Sequence, residues 1–106
     1  MSLAKTTQLP YYAVIFSSLR SDVEEDYGLT SDRMMELAQQ QPGFLGVEHA
    51  RDQIGITVSY WQDLAAIKNW KEQAEHQIAQ KLGKEKWYTS YRIRICKVEH
   101  EYGSPA

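Results

Sequence analysis

The segment Tyr11 to Leu19 (YYAVIFSSL) carries aromatic and β-branched residues at both parities, and that pattern is unbroken until Ser17. Neighbours in a strand point to opposite faces, so a stretch that is apolar at both parities needs cover on both sides. Such a strand belongs in the middle of a sheet. The rest of the chain must supply one cover, and anything it cannot supply must come from elsewhere.

From about Glu24 to Gln41 the pattern is helical, with Tyr27, Met34, Leu37 and Ala38 on one face, and Pro42-Gly43 ends it. Phe44 to Arg51 and Ile54 to Trp61 are strand-like runs joined by Asp52-Gln53, a short connection suited to a hairpin. Asp63 is placed to cap one further helix with a stripe of Leu64, Ile67, the Lys71 stem or Trp70, Ala74 and Ile78, ending near Leu82-Gly83. Tyr88 to Tyr102 reads as the last strand, its apolar content from Ile93, Ile95 and Val98.

The order strand, helix, strand, strand, helix, strand is that of an α+β, ferredoxin-like βαββαβ domain: a four-stranded antiparallel sheet with two helices on one face. The domain is expected over residues 11–102, after an N-terminal extension at 1–10 and before a frayed tail at 103–106. Helices on one side leave the other side bare. A second copy applied to that face would cover it, which predicts a homodimer through the sheet.

The chain has 106 residues, enough for one core without disulfides. Twelve Lys and Arg stand against 14 Asp and Glu, a net charge of -2, which gives no footprint for nucleic acid or an anionic membrane. Cys96 is the single cysteine, excluding an intrachain disulfide and fitting a reducing compartment. With no apolar run of about 20 residues and no signal-peptide pattern, a cytoplasmic location is expected.

Residues able to do chemistry are aromatic or basic. Tyr60-Trp61 ends the third strand, Trp70 lies on the second helix, and Trp87-Tyr88-Tyr91 opens the fourth strand. Trp and Tyr fill a small core economically, but strand ends are also where pocket rims lie. His76 points away from the apolar stripe of a continuous helix; a bend near Ala74-Glu75 would turn it toward the sheet as a proton carrier. Arg92 and Arg94 share one strand face and suit an anionic ligand or cross-strand acids. No HxxxH, Cys/His cluster, phosphate loop or nucleophile elbow is present, so no metal site is expected.

The segments QPGFLGVE (Gln41 to Glu48), GITVSYW (Gly55 to Trp61), WKEQAEHQIAQKLG (Trp70 to Gly83) and WYTSYRIRICKVE (Trp87 to Glu99) together resemble the antibiotic biosynthesis monooxygenase domain family. The resemblance implies a homodimer whose two sheets form a barrel, with a cavity between each sheet and its helices. Some relatives oxidise polycyclic phenols or quinone precursors with O2 and no metal or flavin, others degrade haem, and many have no established substrate, so the resemblance by itself does not fix an activity. Against the quinone-forming relatives, Trp61 matches a Trp that holds a substrate oxygen, while Thr57 stands in place of an Asn and Ile67 in place of a Tyr. Against the haem-degrading relatives, Ser17 and Trp70 fill two places, and Gln80 stands where the axial His would be. The leading expectation is a cofactor-free monooxygenase in which His76 is the base, Trp61 and Tyr88 orient the substrate and Arg92 stabilises its anion. Trp70, Tyr88, Gln80 and Thr57 would line the pocket around a small aromatic ligand. A non-catalytic ligand-binding dimer is the alternative, and haem degradation ranks below both.

Overall fold

The structure is a computed structural model and describes residues 3–6 and 8–104. Its elements are β1 (Tyr11–Arg20), α1 (Tyr27–Gln39), β2 (Phe44–Arg51), β3 (Gly55–Trp61), α2 (Leu64–Glu72), α3 (Ala74–Leu82), a π-helical turn (Gly83–Trp87) and β4 (Tyr88–Val98). The sheet is antiparallel throughout in the order β2-β3-β1-β4, which makes it ferredoxin-like. As expected for a strand apolar at both parities, β1 is central, paired with β3 on one side and β4 on the other.

Register decides which residues share a face. Tyr12 pairs with Trp61, Val14 with Ser59, Phe16 with Thr57 and Ser18 with Gly55, so all eight point to one side. Ala66 and Ile67 of α2 are buried against Trp61, with Tyr12, Val14, Phe44 and Trp70 packed around them, which identifies this as the helix side. Burying this group provides the main apolar stabilisation of the layer, at about 25 cal/mol per Å² removed from water. The helix cover is uneven: α1 packs on β2, and α2 on β3. Ile93 and Ile95, on the helix side of β4, stay 47% and 54% exposed.

The second helix of the sequence reading is two helices. Gln73 adopts an extended backbone (φ -60°, ψ 131°), closing α2 and capping α3, and its side-chain oxygen accepts from the His76 amide at 2.8 Å. Capping by Asp63 is as expected, its carboxylate accepting from Ala66 N at 2.8 Å. Ahead of β4, the Trp87 indole is buried and donates to the Glu25 carbonyl, while its own carbonyl accepts from Ser21 N and Arg20 Nε. These bonds tie the π-helical turn to the far end of β1.

On the opposite face the N-terminal segment crosses the β2 edge, where the Ala4 amide donates to Glu48 Oε2 at 2.9 Å. Tyr60 donates to the other oxygen of Glu48 at 2.7 Å, and Tyr11 and Thr6 both donate to Glu101. Leu19 and Ile56 remain exposed on this side. Of the tail expected at 103–106, Gly103 and Ser104 are exposed and 105–106 lie outside the described residues.

Candidate functional site

The break at Gln73 brings His76 back toward the end of α2. Its ring lies flat on the Trp70 indole, with centroids 4.0 Å apart and planes 14° apart, and Trp70 stacks on Trp61 at 6.1 Å and 26°. The His76 Nδ1 is 2.8 Å from the Trp70 carbonyl oxygen. A carbonyl only accepts, so the imidazole carries its proton on Nδ1, and Nε2 keeps its lone pair. No described residue bonds Nε2, and among the described residues no buried side-chain nitrogen or oxygen lacks a partner. Nε2 therefore reaches the surface. Burial lowers the His76 pKa below its ordinary value, against the opposing pull of the Trp70 carbonyl. Packing and the carbonyl bond hold the ring, and burial favours its neutral form.

A second aromatic group lies at the other end of the helix side. Phe16 meets Tyr88 edge-on at 5.3 Å and stacks with Tyr91 at 5.9 Å, and the Tyr88 hydroxyl lies 3.5 Å from that of Tyr27. Arg20 lies over the Tyr27 ring at 3.4 Å. A side chain at Gly83 would collide with the Tyr88 ring, so this glycine lets the ring pack under the end of α3. Burial, with the Tyr27 hydroxyl beside it, raises the Tyr88 pKa well above the usual phenol range. The His76 and Tyr88 ends are joined by α3, and the six residues from His76 to Leu82 span roughly 9 Å. The floor between them is Val14, Phe16, Ile93 and Ile95, open along β4. Two open hollows lie elsewhere: about 440 Å³ beside Pro10 and Asp63, and about 360 Å³ between α1 and α3.

The structure gathers some of the expected residues and separates others. Trp70 and His76 stack together, Thr57 sits on the helix side paired with Phe16 and His49, and Gln80 is half-buried on α3. Trp61 is a correction: it is 0% exposed and its indole N–H donates to Ser59 Oγ at 2.9 Å, so it is core and has no free donor for a substrate. Arg92 is a second correction. It pairs with Ser17, whose neighbours Phe16 and Ser18 face the helices, so Arg92 lies on the opposite face from His76. Tyr88 is also distant from Trp61, because their β1 partners, Arg20 and Tyr12, are eight positions apart, roughly 27 Å at about 3.4 Å per residue. Ser17 faces away from the helices as well. The Ser17, Trp70 and Gln80 set therefore does not surround one space, and the residues do not fit the haem arrangement that the resemblance implied.

Fold and site together define a ferredoxin-like α+β protein with two aromatic groups on the helix side of its sheet. The family of antibiotic biosynthesis monooxygenases matches residues 10–82, and the chain belongs to it. The YqjZ protein of Bacillus subtilis (strain 168), described as uncharacterized, is 52% identical over 101 residues, spanning 93% of this chain and 89% of that one. Among solved structures, SnoaB, a cofactor-independent oxygenase from Streptomyces nogalater, superposes with a TM-score of 0.70 at 12% identity, covering 92% of this chain and 99% of SnoaB. A conserved protein from Methanosarcina mazei Go1 superposes with a TM-score of 0.76 at 10% identity, covering 86% and 95%. At such identities the likeness is one of fold.

Proposed function

We propose that the chain is a cofactor-free monooxygenase acting on a small electron-rich aromatic, bound in the cleft between α3 and the β1–β4 floor. The observation that carries this reading is the His76 imidazole, held neutral by burial, with Nδ1 committed to the Trp70 carbonyl and Nε2 unpartnered. A base in that state can take the acidic proton of an anthrone or hydroquinone. The resulting anion passes one electron to O2, substrate radical and superoxide combine to a peroxide anion, and that anion takes the proton back from His76 to become a hydroperoxide. Loss of water then leaves one oxygen atom on the substrate as a carbonyl and the other as H2O. Trp70 offers a face for the aromatic ring, and Thr57 and Gln80 offer polar contacts along the cleft. The bare sheet face, with Leu19 and Ile56 exposed, is assigned to a second copy of the chain.

A second reading, a dimer that binds an aromatic ligand without turning it over, is favoured by one observation: Trp61 spends its N–H on Ser59, and Ile67 is buried beside it. Oxygen uptake separates the two. With anthrone and a hydroquinone panel, uptake above buffer that falls by about a hundredfold or more in His76→Ala supports the oxygenase. Tight binding with no uptake on any substrate overturns it in favour of the second reading. A sharp Soret band on haem titration overturns both. A monomer at micromolar concentration in ultracentrifugation overturns the dimer.

A further inference from the structure

The cleft needs a cation if its substrate is an anion, and Arg92 is on the wrong face to provide it. The helix side has another candidate. Arg51, the last residue of β2, pairs with Gly55, which pairs with Ser18, so all three stand in one row across the sheet on the helix side. In that row the Arg51 side chain runs over Gly55. Its Nη2 donates to the Ser18 hydroxyl and its Nη1 to the Ser18 carbonyl at 3.4 Å. Ser18 is buried at 3% exposure, and a side chain at Gly55 would overlap the guanidinium. The sheet thus carries a slot for this one arginine.

Among the described residues no acid pairs with it. The ion pairs among the described residues join Arg20 to Glu24 and Arg33 to Glu36 and Glu75, and none involves Arg51. The residue is exposed, and its charge reaches the Tyr88 phenol, whose acidity it favours. On β4 the same row continues to Tyr91, the partner of Ser18, which stacks on Phe16. A fixed guanidinium with unused donors, bordered by tyrosines and opening on an apolar floor, matches a carboxylate joined to an aromatic ring.

We infer that Arg51 is the anion anchor of the cleft, held over Gly55 by Ser18, and that the ligand is an aromatic carboxylate with its acid group at Arg51 and its ring extending toward His76. This rests on the reading of the cleft as the binding site and narrows it: the substrate carries an acid group remote from the carbon that is oxidised.

The test is binding of anthracene-9-carboxylate and of the neutral 9-anthracenemethanol, followed by ligand fluorescence anisotropy. Wild type, Arg51→Gln, Gly55→Ala and Arg92→Gln are compared, with oxygen uptake on anthrone measured on the same preparations. The anchor requires wild type to prefer the carboxylate by about tenfold or more. Arg51→Gln should lose that preference while keeping affinity for the alcohol, and Arg92→Gln should retain it. Gly55→Ala should behave like Arg51→Gln, because the added methyl displaces the guanidinium; if it fails to fold, Arg51→Gln decides alone. A preference that survives Arg51→Gln, disappears in Arg92→Gln or is absent from wild type overturns the anchor, as does binding of neither probe. Preference without oxygen uptake overturns the oxygenase reading and leaves the anchor standing; uptake without preference does the reverse.

Discussion

The His76 ring lies 4.0 Å from the Trp70 indole and places its Nδ1 2.8 Å from the same residue's carbonyl oxygen. One residue thus fixes both the plane and the tautomer of the imidazole. Packing holds the ring, and the carbonyl selects the nitrogen that keeps the proton. In the neutral ring Nε2 is left with the lone pair, and no described residue bonds it.

The first consequence is a pH dependence. Burial disfavours the charged imidazolium, so the folded-state pKa of His76 lies below the unfolded value of about 6.5. Any catalysis that uses this base should hold at neutral pH and fall only as pH drops through the depressed value. Between the two values the unfolded chain binds more protons, so the stability from a neutral His76 is present above about pH 6.5 and declines on acidification. A carbon-13 NMR titration of the ring should give a midpoint below the unfolded value of about 6.5. A midpoint at or above that value would contradict the burial argument.

Gln73 controls where His76 sits. Its side-chain oxygen caps α3 through the His76 amide, and its extended backbone makes the break. Gln73→Ala should cost about 1 kcal/mol of cap energy. It also favours a continuous helix, which would carry His76 off the indole. Thermal unfolding should show a lower Tm, and the His76 midpoint should rise toward its ordinary value. A lower Tm with an unchanged midpoint would mean that the stack, not the cap, holds the ring.

Trp61 and Trp70 should respond differently to substitution. Trp61 is fully buried and hydrogen-bonded to Ser59, so Trp61→Phe loses volume and leaves the serine short of a donor. A loss of about 1–3 kcal/mol follows, several degrees or more in Tm. Trp70 is half-buried and supports His76, so Trp70→Ala should weaken aromatic binding and shift the His76 titration beyond what its stability loss explains. Denaturant midpoints with ligand titrations separate the two.

Period-2 reasoning reached the strands, the central place of Tyr11–Arg20 and the shared face of Arg92 and Arg94, because parity within one strand is written in the sequence. Parity between strands is not. Arg92 and Trp61 fall on opposite faces because of how Ser17 and Tyr12 are paired, and no single segment carries that register. The helix break was legible only as a condition on His76, because Gln73 is neither Gly nor Pro and its cap depends on the amide three residues later. Arg51 was missed for a similar reason. Its slot joins the ends of three strands, and only pairing brings Gly55 between it and Ser18.

Tyr60 offers a test at alkaline pH on the face assigned to the second copy. Its hydroxyl donates to Glu48, and burial together with that carboxylate pushes its pKa up to about 12. Ionisation would remove the donor and set a phenolate against a carboxylate. The raised value favours the neutral phenol in the folded state, so its contribution to stability is complete below the unfolded value of about 10 and is lost as pH rises toward 12. Ultraviolet titration of phenolate absorbance should show late-ionising tyrosines, one of which Tyr60→Phe removes. The same substitution frees Glu48 from one of its two donors and leaves the Ala4 amide as the other. It should therefore flatten the alkaline fall in stability while costing about 1 kcal/mol at neutral pH. If Tyr60→Phe unfolds over the same alkaline range as wild type, the loss comes from Tyr11 or Tyr88, whose pKa values are also raised by burial, with Glu101 and Tyr27 adding to it respectively, and Tyr11→Phe and Tyr88→Phe tell the two apart.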